Sequence, residues 1–414
     1  MRRFAAACLA ACFFMMTACA GQEPEPSVPT RTQAETTAQT TTQSETSAAP
    51  ASTAQETTAG RAAERGRVSV TVQRTQKAEK DETGDVLLNW DISQPSVDID
   101  GDPAASAAVN EVLDQRSAAL MQDGAQYVEW AKEDRQSGDS AEAWTPYGIW
   151  RYYGAGRVDS AVVSLNCTDV SSTGGAHPNS AMSGITFDVA TGERLTLATL
   201  SDNEEALRSV VTGELKRQVS ERGDELYDNA TEAAETLLDE DDWYLSGDGL
   251  EVLCNEYIMA PRAAGVLKFT IPYTLLSGVL KPEYLQPVRD ASAGEIRASF
   301  AETSKLTGFR IDRLTVDAGG VAVAFTATGL VRNLRISEAV WNESVTACSE
   351  GRLWYACSAM GPEDAAVVTT VIPEGMPNLV LAYSAPDSSE RRYALSQSGK
   401  DGSLLLVDVS APGT

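Results

Sequence analysis

The sequence predicts an α+β fold, an antiparallel sheet with packed helices, followed by a small all-β, sandwich-like C-terminal domain. Three observations predict it. Between residues 67 and 290, stretches alternating with period two are interleaved with amphipathic stretches at helical spacing, joined by connections of hairpin length. From about Glu295 onward, period two dominates and helical spacing survives only in short pieces. The chain is 414 residues long with 43% hydrophobic content, enough for two or three domains with cores of their own.

Taken in order, the chain opens with Arg2 and Arg3 and then an apolar run from Phe4 to Met16. That run is too short to span a bilayer and suits the core of a signal peptide. It ends in Met16-Thr17-Ala18-Cys19, an apolar residue and two small ones before a cysteine, the pattern of a bacterial lipobox. Residues 1–18 are therefore expected to be a lipoprotein signal peptide and Cys19 the lipid-attachment residue; an ordinary secretory signal with a chance cysteine is the alternative. Residues 19–66 read as a disordered Thr/Ser-rich linker. Between Ser27 and Thr58 there are 15 Ser or Thr and no aromatic residue, too little apolar surface to order itself. As a random coil of about 45 residues it would span roughly 35–40 Å.

In the region 67–290, Val68, Val70 and Val72 alternate with Ser69 and Thr71 as a half-buried strand does, and Asp85 to Ile92 reads as a second strand. Asp102-Pro103 starts a helix, with Val109, Val112, Leu113 and Leu120 on one face, running to about Ala131. Trp150 to Cys167 and Gly184 to Val189 return to strand chemistry. Ser201 to Glu204 has the form of a capping box, before a face of Leu207, Val211, Leu215 and Val219 that Gly223 breaks. Ala230 to Leu238 reads as helix, and Leu250 to Cys254 and Val266 to Ile271 as strands. In the region 295–414, strands are expected over Val321 to Ala327, Val367 to Ile372, Leu379 to Tyr383 and Leu404 to Val409. Lys400-Asp401-Gly402 marks a hairpin, and an immunoglobulin-like topology is the starting guess.

Charge narrows the function. A net charge of −26 and a single histidine argue against a nucleic-acid partner, which needs a basic face, and against zinc sites built from His pairs. An acidic field favours cationic partners. Contact with a membrane is expected through the lipid anchor only. No metal and no cofactor are expected. Asp98, Asp100 and Asp102 resemble the start of a calcium loop, but Pro103 and Val109 stand where glycine and glutamate are required. Cys167, Cys254, Cys348 and Cys357 could form two disulfides in an exported chain, Cys348 with Cys357 and Cys167 with Cys254, or remain four buried thiols. Seven aromatic residues fall between Tyr127 and Tyr153. Core packing is the commoner use of such rings, but flat rings also stack on sugars and anchor protein interfaces. Trp144, Tyr147, Trp150 and Tyr152 are therefore candidate ligand-binding residues, together with His177 and Asn179 in the next turn. His177 has no nucleophile in a catalytic context near it, so its expected role is structural or ligand-lining.

The string Gly174-Gly175-Ala176-His177-Pro178-Asn179, followed by Phe187-Asp188, Thr191-Gly192 and Leu195/Leu197, is distinctive. Trp243-Tyr244-Leu245, Asp248-Gly249-Leu250, Tyr257, Ala260-Pro261, Ala263-Ala264-Gly265 and Phe269 to Tyr273 continue it. It resembles the envelope domain shared by the lysozyme-sensing anti-sigma factor RsiV and the peptidoglycan deacetylase PdaC, with the preceding region completing the likeness over 67–290. The resemblance implies an α+β domain on the outer face of bacteria, commonly without catalysis of its own. The chain resembles neither a sigma-binding segment nor, with one histidine, a metal-dependent deacetylase. The expectation is a lipid-anchored binding protein on the outer face of the bacterial cell membrane, taking wall glycan or a cationic, lysozyme-like wall-cleaving enzyme. The alternatives are a glycan-acting hydrolase with paired carboxylates and a structural scaffold.

Overall fold

The computed structural model describes residues 66–137, 144–285, 291–344 and 347–410. The signal peptide expected at 1–18, Cys19 and the linker up to residue 65 lie outside the described residues. β1 (Val68–Lys80) and β2 (Val86–Ile99) form an antiparallel hairpin. The Asp81 carboxylate ties its turn by accepting the backbone N–H groups of Thr83 and Asp85. Val68, Val70 and Val72 are all fully buried, as their alternation predicts. α1 (Pro103–Ser137) is about 50 Å long at 1.5 Å per residue and continues past the expected end near Ala131. Asp102 caps it, accepting the Ala105 N–H at 2.9 Å. The helix carries the chain across to β3 (Tyr147–Val158), which runs parallel to β2. β4 (Val162–Ser172) and β5 (Asn179–Asp188) follow as antiparallel neighbours.

The helical layer comprises α2 (Leu197–Leu200), α3 (Glu204–Arg222) and α4 (Ala230–Thr236). The capping box expected at Ser201–Glu204 does not form. Asn203 caps α3 by accepting the Ala206 N–H at 3.1 Å, while the Ser201 hydroxyl, two residues too early, donates to the Val279 carbonyl. Gly223 ends α3 with φ +54°, a conformation that favours glycine. Leu207, Val211, Leu215 and Val219 pack onto a small antiparallel sheet of β6 (Trp243–Leu245), β7 (Gly249–Cys254) and β8 (Leu267–Pro272). Each such fully buried side chain contributes about 1.5–3 kcal/mol. α5 (Tyr273–Leu276) closes this part.

Nine strands follow: β9 (Ile296–Phe300), β10 (Arg310–Thr315), β11 (Val321–Ala327), β12 (Val331–Trp341), β13 (Cys348–Met360), β14 (Asp364–Thr370), β15 (Leu379–Ser384), β16 (Glu390–Gln397) and β17 (Leu404–Asp408). A four-stranded sheet, β10-β14-β11-β9, packs over β17-β16-β15-β12-β13, with Phe325, Val368, Tyr355 and Leu381 in the core between them. The sandwich is present, but its topology is not that of the immunoglobulin guess, because β10 runs parallel to β14. Nor does it stand apart. β13 pairs with β1, Val70 opposite Ala356, so one ten-stranded sheet runs β17-β16-β15-β12-β13-β1-β2-β3-β4-β5. Arg67 fastens the joint, donating to Asp312, to the Tyr355 hydroxyl at 2.6 Å and to the Cys357 thiol at 3.0 Å. The sheet curls until β3 touches β13, where the Arg352 guanidinium lies 5.5 Å from the Tyr152 ring centroid.

The four described cysteines are buried free thiols. Of the two alternatives, the disulfide between Cys348 and Cys357 is ruled out by strand geometry. They open and nearly close the same extended strand, about 30 Å apart at 3.3 Å per residue, whereas a disulfide needs Cα atoms within about 7 Å. Cys167 lies in β4 and Cys254 ends β7, in separate sheets. Among the described residues, no helix is long and apolar enough to cross a membrane.

Candidate functional site

The structure sorts the six residues singled out in the sequence into three environments. Tyr147 is buried beneath α1 with its hydroxyl bonded to Asp134, and Trp144 stacks on it with centroids 5.6 Å apart while donating to the Val86 carbonyl at 2.9 Å. Both rings pack the core with Trp90 and Ile149. Trp150 is half-buried and lies over Gly148, where a Cβ would sit 2.0 Å from the ring. Tyr152, also half-buried, meets Arg352. Arg352 in turn pairs at 3.1 Å with Asp91, which also holds Arg74 at 2.7 Å. Burial alone would raise the Asp91 pKa, but the two guanidinium groups hold it below the ordinary carboxylate range. His177 is exposed in the turn joining β4 to β5, and Asn179, also exposed, begins β5.

That turn is fastened to a loop that did not stand out in the sequence. Arg262 donates to the Pro178 carbonyl and pairs with Glu256 at 3.6 Å. Asn255 brackets the edge strand β5, accepting the Met182 N–H at 2.7 Å and donating to the Met182 carbonyl at 3.0 Å. The Tyr227 N–H bonds the Met259 carbonyl at 2.8 Å, bringing a third segment alongside. Tyr257 therefore projects from a loop held at both ends. It is 63% exposed and has φ +67°, a left-handed conformation that costs a non-glycine residue about 1–3 kcal/mol. Tyr227 and Ile258 are exposed beside it.

Tyr227 lies within the most acidic part of the chain, and Tyr257 and Ile258 directly follow it. Residues 193–256 carry 18 Asp or Glu against 5 Lys or Arg, a net −13 that is half the total of −26. Many of those acids are paired, for example Glu204 with Arg208 at 2.7 Å, but exposed Glu225, Asp228 and Glu232 have no ion-pair partner among the described residues. Exposed aromatic and aliphatic anchors inside an unneutralised acidic rim suit a cationic protein surface. Tyr227 and Tyr257 each sit beside an acid in a segment without periodicity, Asp228 and Glu256, which was the available sequence signal. A concavity of about 430 Å³, polar and lined by Asn166 and Arg335 among others, lies where β3 faces β12 and β13. Among the described residues, no three His, Cys, Asp or Glu side chains converge as a metal site would require.

The fold defines an α+β module joined to a β-sandwich. Residues 195–274 match the family described as "Protein of unknown function (DUF3298)", the domain that RsiV and PdaC share. Tyr227 and Tyr257 lie within that match, and His177 lies outside it. A DUF3298 family member from Bacteroides fragilis is similar over 52% of this chain and 94% of its own, with 16% identity and a TM-score of 0.40. A DUF3298 family protein from Pseudomonas aeruginosa is similar over 53% of this chain and 97% of its own, with 14% identity and a TM-score of 0.36. No curated protein matches the chain.

Proposed function

We propose that this is a lipid-anchored, extracytoplasmic binding protein of the bacterial cell envelope, and that its partner is a cationic, lysozyme-like wall-cleaving enzyme or the wall glycan itself. The single observation that carries the enzyme partner is the Tyr227–Tyr257–Ile258 patch at the end of the −13 segment 193–256. Long-range attraction to that segment would speed encounter, and the desolvated rings would supply the affinity that outlasts salt. Binding is favoured over hydrolysis by the surroundings of Glu390 in the polar cleft. A glycan hydrolase holds one carboxyl protonated beside an ionised one. Here Arg335 and Arg392 overcome the effect of burial and pull Glu390 below the ordinary range.

The test is calorimetric titration of the full chain in detergent with lysozyme, at low salt and at about 0.5 M salt, where the Debye length is under ~5 Å. Micromolar binding that survives salt and is weakened at least tenfold by Tyr257→Ala supports the reading. Heat that vanishes with salt would mean charge attraction alone and would leave wall glycan as the partner, and salt-resistant heat that Tyr257→Ala leaves unchanged would refute the Tyr227–Tyr257–Ile258 patch as the binding surface.

A further inference from the structure

We propose that the cleft between β3 and the facing strands β12, β13 and β16 is a binding site for a short, uncharged oligosaccharide. The site goes beyond the partner surface around Tyr257 and uses different residues. Its volume of about 430 Å³ falls in the range of roughly 300–1,000 Å³ typical of small-molecule sites.

Charge selects the ligand class. The charged residues lining the cleft are Arg157, Lys268, Arg335 and Arg392 against Asp159, Asp248, Glu350 and Glu390, a sum of zero in a chain of −26. Most are locked to one another. Arg157 bonds Asp159 at 2.6 Å with both side chains almost fully buried. Arg335 holds Glu350 at 2.8 Å and Glu390 at 2.7 Å, and Arg392 closes the ring on Glu390 at 2.8 Å and Glu350 at 3.6 Å. A closed ring of pairs has little net field to attract an ion. It still offers carboxylate lone pairs and guanidinium N–H groups to a ligand that both donates and accepts, as every sugar hydroxyl does.

Uncommitted neutral groups point the same way. Tyr244 is only 6% exposed, and its hydroxyl has no hydrogen-bond partner among the described residues. The Asn166 carboxamide, half-buried, likewise has none among the described residues. Neither group is shut off from solvent, so a ligand entering the polar cleft can take the place of water on both the phenol and the carboxamide. Two glycines of β3 allow them to sit there. A Cβ on Gly154 would be 2.7 Å from the Asn166 Oδ1, and one on Gly156 would be 2.6 Å from the Tyr244 ring and 2.4 Å from the Leu245 carbonyl oxygen. Side chains at either position would push Asn166 or Tyr244 out of place. The cleft draws on both halves of the ten-stranded sheet, so it exists only when β1 joins them.

The test titrates the full-length protein in detergent with triacetylchitotriose and, separately, with maltotriose, at low and at about 0.5 M salt. At least one of these uncharged sugars is expected to bind equally well at both salts. Tyr244→Phe and Asn166→Ala, which remove single polar groups, are each expected to weaken it about three- to tenfold with the unfolding midpoint unchanged. Absence of binding by both sugars at millimolar concentration overturns the assignment. Binding that falls with salt, or that both variants leave untouched, overturns it as well. Tyr257→Ala should leave these titrations unaltered, so the partner surface and the sugar cleft fail separately.

Discussion

Replacing Arg67 with Met asks whether the two halves of the molecule are one folding unit. Arg67 precedes β1, and its guanidinium, almost buried, reaches Asp312, the Tyr355 hydroxyl and the Cys357 thiol. Removing one partner of a buried ion pair costs about 3–5 kcal/mol because the other charge is left stranded. Asp312 is less exposed to that penalty than most. It is 17% exposed and still accepts the Tyr355 hydroxyl at 2.7 Å, so the expected loss is nearer about 2–3 kcal/mol. That is a large share of the roughly 5–15 kcal/mol that holds a domain folded. Urea unfolding followed by tryptophan fluorescence and by circular dichroism reads it directly. Trp341 and Trp354 report on the sandwich, and Trp90, Trp130, Trp144, Trp150 and Trp243 on the rest. Both probes should show one coincident transition, shifted to lower urea in Arg67→Met, with Asp312→Asn losing less because it keeps an acceptor. A loss below about 0.5 kcal/mol, the scale of an ordinary surface change, would refute the latch. A separate transition confined to the sandwich would refute the single unit.

Gly124→Ala should destabilise α1 despite alanine's helix propensity advantage of about 1 kcal/mol, because its Cβ would sit 1.8 Å from the buried Trp90 ring. A net loss of about 1–3 kcal/mol in urea is expected, and a gain would show that the ring yields freely. The low pKa of Asp91 means its contribution to stability is complete above the unfolded value of about 3.9 and is lost as pH falls through the lower folded value. The thermal midpoint should therefore fall more steeply below about pH 4 in the native chain than in Asp91→Asn, and parallel curves would contradict the Arg74–Asp91–Arg352 cluster. Burial raises the Cys167 thiol to about 12 and the Cys254 thiol to about 11, so neither presents thiolate at neutral pH. Maleimide followed by mass spectrometry should label Cys167, Cys254, Cys348 and Cys357 only in denaturant, without prior reduction; a need for reductant would mean disulfides.

Elements whose pattern is local could be read in advance, and those whose environment is set by distant strands could not. Val68, Val70 and Val72 alternate because one face of β1 meets α1, and the 207–211–215–219 stripe is helical because only one side of α3 is covered. β15 was legible as the apolar run Leu379 to Tyr383, but neither it nor β13, which was not anticipated, alternates. All six residues of β15 and the run Leu353 to Ser358 of β13 are buried, since the sheet is covered on both faces there and alternation has no solvent side to report. The joint between Val70 and Ala356 spans most of the described chain, and no window of sequence contains both. The same limit governs the sites. The aromatic run from Tyr127 to Tyr153 was visible, but Tyr147 became core because Asp134 of α1 lies over its hydroxyl, while Tyr257, alone in its loop, became surface. Composition misleads most at the cleft. A total of −26 points to cationic partners, and half of it falls in residues 193–256, which end next to Tyr257. Yet eight charged residues from six segments meet in the cleft and cancel, which only the closed fold arranges. A neutral pocket in so acidic a chain is thus a property of position, and it separates the ligand of the cleft from the partner of the surface on physical grounds.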